Sequence, residues 1–285
     1  MTPPEKRQAI AFLVAEQKLS ARRACAAVGL SRAAYYRELQ RGVGRDGAVI
    51  DALNGIVENH GRWGFWKCYD RLRLDGRPWN HKRVWRVYCD MRLNLPRRTK
   101  KRLPVRNPQT LDVPSQVNVE WGLDFMSDAL YNGRRFRTLN ILDDGVREVL
   151  DIVIDTSIPA GRVVRVLDQL ASWRGMPAAI RCDNGPEMTS QLLVDWCAAN
   201  GVEIRYIQPG KPNQNAYAER FNRTFRNEVL DAHLFTDLGQ VREITYRWRQ
   251  EYNEVRPHDS LGRIPPSVFR QEREAAGFST SAWST

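Results

Sequence analysis

The stretch VNVEWGLDFMSDALYNGRRFRTLNILDDGVREVLDIVID, residues 117–155, decides the fold. Val117–Met126 and Phe136–Leu142 alternate or run apolar as strands do, and Val149–Ile154 is β-branched. Asp144-Gly145 supplies the turn between the second and third strands. Downstream the period changes. Ala160–Trp173 places Val163, Val164, Leu167 and Leu170 on one helical face. A short strand at Ala178–Cys182, a helix at Ser190–Asn200, a strand at Val202–Gln208 and a helix from Gln214 to Asp231 complete the series. Three antiparallel strands followed by alternating helix and strand predict an α/β core over 117–232: a mixed sheet with helices on its faces. Residues 233–285 read as a helical tail.

Upstream of this core the chain is strongly basic. The net charge is +11, yet residues 1–116 hold 24 Lys and Arg against 10 Asp and Glu, while the remainder holds 20 against 23. A positive field confined to one part suggests that this part grips a polyanion while the other does chemistry. Within residues 1–45, Ser20 and Ser31 stand where they would cap two helices around Gly29, a helix-turn-helix-like pattern that an ordinary helical hairpin would share. On the second helix Arg32, Tyr35, Tyr36 and Arg37 occupy the positions of base and phosphate contacts. Residues 46–95 form a second small all-α segment. Its dense aromatics (Trp63, Phe65, Trp66, Tyr69, Trp79, Trp85) read as a core rather than as base-stacking platforms. Residues 96–116 hold four prolines, so they form an extended linker. Its Arg97, Arg98, Lys100, Lys101, Arg102 and Arg106 are placed to follow a phosphate backbone.

The core carries an acidic constellation. Asp124 lies in the first strand, Asp183 closes the fourth, and Glu219 lies inside the last helix, with 35 residues between the latter two. Mg²⁺ is a hard cation that takes oxygen ligands. Two such ions flanked by carboxylates activate the attacking oxygen and stabilise the leaving one in phosphodiester displacement. On the last helix Asn215, Glu219, Asn222, Arg223 and Arg226 share a polar face. Ala218, Phe221, Phe225 and Val229 form an apolar stripe for the sheet, which leaves Glu219 to the site and Arg223 and Arg226 to DNA. Asp143 and Asp144 read as turn residues, Asp128 as the end of its strand, and Glu187 as a support behind the metal ligands.

WGLDF (121–125), CDNGPE (182–187), QPGKPNQNAYAERFNRTFRNEVL (208–230) and YNEVRPHDSLGRIPPSVF (252–269), in this order, resemble the OrfB transposases of bacterial insertion sequences. These are DDE enzymes of the retroviral-integrase superfamily, and the element order matches their ribonuclease-H-like fold. GRWGFWKCYDRLR and HKRVWRVYCDMRLNLPRR resemble the family's helical segment before the core. The resemblance implies a transposase that binds terminal inverted repeats, cuts a strand at each element end, and joins the 3′-OH to target DNA. It implies Asp124, Asp183 and Glu219 as catalytic ligands of two Mg²⁺, with Mn²⁺ as substitute. Asn184 is implied as a support, and Lys211, Asn215 and Arg223 as DNA contacts. The implied partners are DNA, further copies of the chain in a multimer, and an upstream OrfA product, separate or fused. Met188 and Gln214 depart from the commonest family pattern but touch no ligand position. An inactive or domesticated DNA-binding descendant is the alternative reading, and loss of a triad acid would favour it.

The five cysteines form no C-x-x-C pair and have no ligand-like spacing to the four histidines, which predicts reduced thiols and no structural zinc. No run of about 18 apolar residues is present. Glu5, Lys6, Arg7, Glu16 and Lys18 interrupt the opening apolar stretches, unlike a secretory leader. The expectation is a cytoplasmic, nucleoid-associated bacterial protein without membrane partners.

Overall fold

A computed structural model describes residues 1–36, 43–96, 116–208 and 215–281. Two compact units divide the chain, Met1–Asp51 and Ala52–Thr285. The division falls within one helix, not at the 45/46 boundary expected from the sequence.

The first unit contains α1 (Pro3–Ala15), α2 (Ala21–Val28), α3 (Arg32–Tyr36) and the start of α4 (Val43–Asn59). Ile10, Ala24 and Cys25 are buried together, with Leu13, Val14, Val28 and Tyr35 packed around them. Gly29 ends α2 at φ +66°, the left-handed conformation that makes the turn into α3 cheap for a residue without Cβ. Ser31 Oγ accepts from Ala34 N at 3.1 Å, as a cap should. Ser20 occupies the N-cap position of α2 in an extended conformation but makes no side-chain cap bond. Instead, helix ends in this unit are tied by α1: Arg7 donates to the Ala34 carbonyl and Lys6 to the Gly29 carbonyl.

The second unit begins with α5 (Phe65–Leu74) and α6 (His81–Asp90), the latter capped by Asn80 Oδ1 accepting from Lys82 N. Phe65 and Tyr88 are buried at their contact, as expected for a helical core, whereas Trp66 and Trp85 keep about half their surface. Then come β1 (Glu120–Ala129), β2 (Arg135–Asp143), β3 (Glu148–Asp155), α7 (Ala160–Arg174), β4 (Ala179–Cys182), α8 (Gln191–Asn200), β5 (Glu203–Tyr206), α9 (Ala216–Phe225), α10 (Leu238–Glu254) and α11 (Pro266–Ser281). The sheet order is β3-β2-β1-β4-β5. β2 is antiparallel to both of its neighbours, and β1, β4 and β5 are parallel. This is the mixed sheet expected from the element order. Strand β1 starts at Glu120 rather than Val117 because Asn118 turns to φ +59° and spends its side chain on the Arg174 carbonyl and the Trp121 indole.

Period-two alternation sorts the two faces. Trp121, Leu123, Leu139 and Ile141 pack with Val163, Leu167 and Leu170 of α7 and Leu193, Trp196 and Cys197 of α8. Met126, Phe136, Leu142 and Ile152 pack with Phe221 and Phe225 of α9 and Val241 and Tyr252 of α10. The last predicted helix is not uniform: after Phe225 it continues as one π-helical turn, Arg226–Leu230, in which Asp231 N bonds the Arg226 carbonyl. The edge strand β3 is closed by side chains of α10. Arg242 donates to the Ile154 carbonyl, Arg249 to that of Leu150, and the Asn253 amide pairs with both N–H and C=O of Val149. An otherwise open ladder edge is thereby blunted.

Candidate active site

The parallel pair β1–β4 is registered Gly122 to Arg181, so Asp183, the first residue after β4, continues towards the level of Asp124 in β1. Asp124 faces the α9 side of the sheet because it is two residues from Met126 in an alternating strand. Directly across β2 is Asn140, also on that face and fully buried. Helix α9 is fastened to this point: Asn222 Nδ2 donates to Asp124 Oδ2 at 2.7 Å, and Asn140 Nδ2 donates to Asn222 Oδ1 at 2.7 Å. Glu219 lies three residues before Asn222, on the same helical face and solvent-accessible. The relay Asn140–Asn222–Asp124 was not foreseen. Asn222 was legible only as part of a polar face, and Asn140 only as a residue inside an apolar strand.

Burial pushes the Asp124 carboxyl up to about 6, and the nearby Asp183 and Glu219 charges push the same way. The Phe125 N–H and the Asn222 amide oppose them. Asp183 Oδ1 accepts from Gly185 N at 3.0 Å, which folds the Asp183–Gly185 turn back on the carboxylate. Among the described residues no Arg or Lys pairs with Asp124, Asp183 or Glu219, and the Asp183 and Glu219 charges are both felt at Asp124. An oxygen-only donor set of this kind suits a hard divalent cation. Among the described residues, however, no three Asp, Glu, His or Cys are grouped closely enough to hold one ion.

The other sequence-derived candidates are placed as follows. Glu187 pairs with Arg137 of β2, which holds its carboxyl below the usual range. The Asn184 amide donates to the Ile207 carbonyl at 2.8 Å, joining the loop after β4 to the end of β5. Asn215 is buried at the start of α9, 5% exposed, and Arg223 is exposed. Arg226, expected to face DNA, instead bonds Asp128 and the Ser127 carbonyl. In the first unit Arg32 and Tyr36 are exposed. Arg37, Arg97, Arg98, Lys100, Lys101, Arg102, Arg106 and Lys211 lie outside the described residues. Asp143 and Asp144 are more than turn residues. Both are buried. Asp143 accepts from the N–H groups of Asn118 and Gly145 and from Arg174. Asp144 lies against Gly122, where an added Cβ would come within 2.9 Å of its Oδ1, so β1 needs glycine there.

The Integrase core domain family matches residues 114–212 and 200–266, and an HTH-like domain matches 45–102. An uncharacterized 39.2 kDa protein of insertion element IS476 from Xanthomonas euvesicatoria is 42% identical over 269 residues, covering 94% of this chain and 78% of that protein. An uncharacterized 31.7 kDa protein of insertion element IS407 from Burkholderia multivorans is 40% identical over 266 residues, covering 93% and 95%. The chain belongs to the OrfB-type insertion-sequence transposases. As a member of this DDE family it carries the integrase core on the β1–β5 sheet, and its HTH-like match spans α5, α6 and most of α4. Among solved structures, the HTLV-2 integrase catalytic core domain in complex with magnesium aligns with 55% of this OrfB-type chain and 99% of its own length, at 16% identity and a TM-score of 0.46. No helix among the described residues is long and apolar enough to cross a membrane.

Proposed function

We propose that this chain is a DDE-type polynucleotidyl transferase that binds the terminal inverted repeats of an insertion sequence, cleaves a DNA strand at each end and joins the freed 3′-OH to target DNA. The observation that carries the reading is the Asn222–Asp124 bond. It fastens α9 to β1 one helical turn beyond Glu219, whose charge is felt at Asp124, and this supports the three acids as one site.

Asp124, Asp183 and Glu219 would hold Mg²⁺, with Mn²⁺ as a substitute. When bound, the two ions supply activation of the attacking oxygen and stabilisation of the leaving one. The residues around them do the positioning. Asn222, held by Asn140, orients the Asp124 carboxylate, and the Asp183–Gly185 turn orients Asp183. The Glu187–Arg137 and Asn184–Ile207 links hold the loop after β4 in place. Burial raises the Asp124 carboxyl to about 6, so a proton would compete with the metal at this ligand, and metal loading is expected to weaken at acid pH. Arg32, Tyr36 and Arg37, together with Arg97, Arg98, Lys100, Lys101 and Arg102 of the linker, supply DNA contacts, joined near the site by Lys211, Asn215 and Arg223. Two element ends held at once require a multimer, and an OrfA product is the natural accessory.

The test uses labelled terminal-repeat DNA with Mg²⁺ or Mn²⁺ and the Asp124→Asn, Asp183→Asn and Glu219→Gln variants. The parent is expected to nick and join strands and the variants to bind DNA without cutting it. Three variants that cleave like the parent would show the site to be elsewhere.

A further inference from the structure

On the side of α9 turned away from Glu219 lies a cavity of about 90 Å³. Its wall is built by Lys67 of α5, Arg147 of the β2–β3 turn, Tyr217 and Arg220 of α9, and Arg256 and His258 beyond α10. At 100° per residue, Tyr217, Arg220 and Thr224 form one stripe of α9, and Glu219 and Asn222 lie on the opposite side. We propose that this cavity is a binding site for a phosphodiester group of a DNA strand, separate from the three carboxylates. The proposal rests on the reading of the chain as a DNA-handling enzyme.

The charge balance around the cavity is the first argument. Four cationic side chains line it against one acid, the exposed Asp259. Arg256 pairs with the buried Glu228, and Arg147 feels the Asp144 carboxylate and a hydrogen bond to Tyr217. Lys67 and Arg220 have no hydrogen-bond or ion-pair partner among the described residues. Arg147 lies 3.2 Å over the Tyr217 ring, yet its Nε and Nη1 are buried with no hydrogen-bond partner among those residues. Buried donors without acceptors are costly, and one oxyanion in their midst would satisfy several at once. The backbone of Arg147 takes φ +59°, uncommon for a residue with a Cβ, which holds this guanidinium in the wall.

The electrostatics point the same way. Burial, aided by the Arg256 charge, lowers the Lys67 ammonium to about 8. An arriving anion would reverse that shift. The volume suits a single tetrahedral oxyanion rather than a nucleoside, and the mouth is bordered by the exposed Arg220, Asp259 and Ser260. Phosphate contacts of this kind hold a strand in register without reading its sequence.

A footprint of Lys67 tests the site. The full chain is acylated with an amine-selective reagent near pH 8, and modification of Lys67 is followed by peptide mass spectrometry. The reaction is run alone, with inorganic phosphate, and with a random-sequence DNA duplex. DNA is expected to slow Lys67 acylation about tenfold, and Arg147→Gln and Arg220→Gln to abolish that protection. Arg220 is exposed, so its variant keeps the fold if the Arg147 variant does not. Arg220→Gln should also reduce the dependence of log affinity on log salt by about 1. Protection by inorganic phosphate without protection by DNA would assign the cavity to a free phosphate and overturn the proposal, as would unchanged acylation in every arm or full protection in Arg220→Gln. Asp183→Asn separates this site from the catalytic reading: Lys67 protection should persist in it while strand cleavage is lost.

Discussion

Two groups of acids lie on and around β1 and are treated in opposite ways. At the start of β1 and the end of β2, Glu120 pairs with Arg181 and Arg205, Asp143 with Arg174, and Glu148 with Arg174 and Arg270. By contrast, Asp124, Asp183 and Glu219 meet no guanidinium or ammonium among the described residues. Asp124 meets only amide donors and its fellow carboxylates. The first group is closed by the protein's own cations and is part of the scaffold. The second is left with unbalanced negative charge, as the proposed cation site would require.

The difference can be broken from either end. The largest effect is expected for Asp183→Asn, which should lower strand cleavage by about 10³-fold or more, since metal stabilisation of the transition state is worth several kcal/mol. Its unfolding midpoint in denaturant should stay at or above the parent's, because a repulsive charge is removed. A matching loss of stability would mean that Asp183 belongs with the scaffold acids. Arg174→Ala should do the reverse. It strands Asp143 and Glu148 in the interior, and urea unfolding should show a loss of about 3–5 kcal/mol that Mg²⁺ does not restore.

Metal itself sharpens the contrast. Mg²⁺ at about 100 times its dissociation constant should stabilise the parent by about 2.7 kcal/mol and leave Asp124→Asn unmoved in a thermal melt. Equal stabilisation of both proteins would place the ion outside the carboxylate site.

A further effect concerns Asp144, a scaffold acid with no hydrogen bond to either oxygen among the described residues. Burial, and then the Glu120 charge, push its carboxyl up to about 7, against the pull of Arg147 and Arg181. A raised folded-state value means that the fold favours the protonated form. This contribution to stability is complete below the unfolded carboxyl range near 4 and is lost as pH rises through about 7. Asp144→Asn should flatten the stability profile between those limits, and an unchanged slope would show that the carboxyl is neutralised in another way.

Legibility followed the range of the interactions. Strands, helices and the Asn80 and Ser31 caps are set by neighbours within a few residues, and period and composition revealed them. Arg226 illustrates the boundary. Its place on the polar face of α9 was readable, but its engagement with Asp128, 98 residues away, was not. Asp143 and Asp144 look like any Asp-Asp-Gly turn until the sheet buries them.

By itself, then, the sequence determined the mixed α/β architecture and the basic upstream part and singled out the three candidate site acids, because periodicity, charge and motif spacing are properties of the chain. Only the tertiary structure decided which acids are closed by arginine and which are left open. It also decided that Asn140 and Asn222 would hold Asp124, and that Lys67, Arg147 and Arg220 would share one cavity. Those outcomes depend on side chains brought together across 80 or more residues, and electrostatic energy acts through space rather than along the chain.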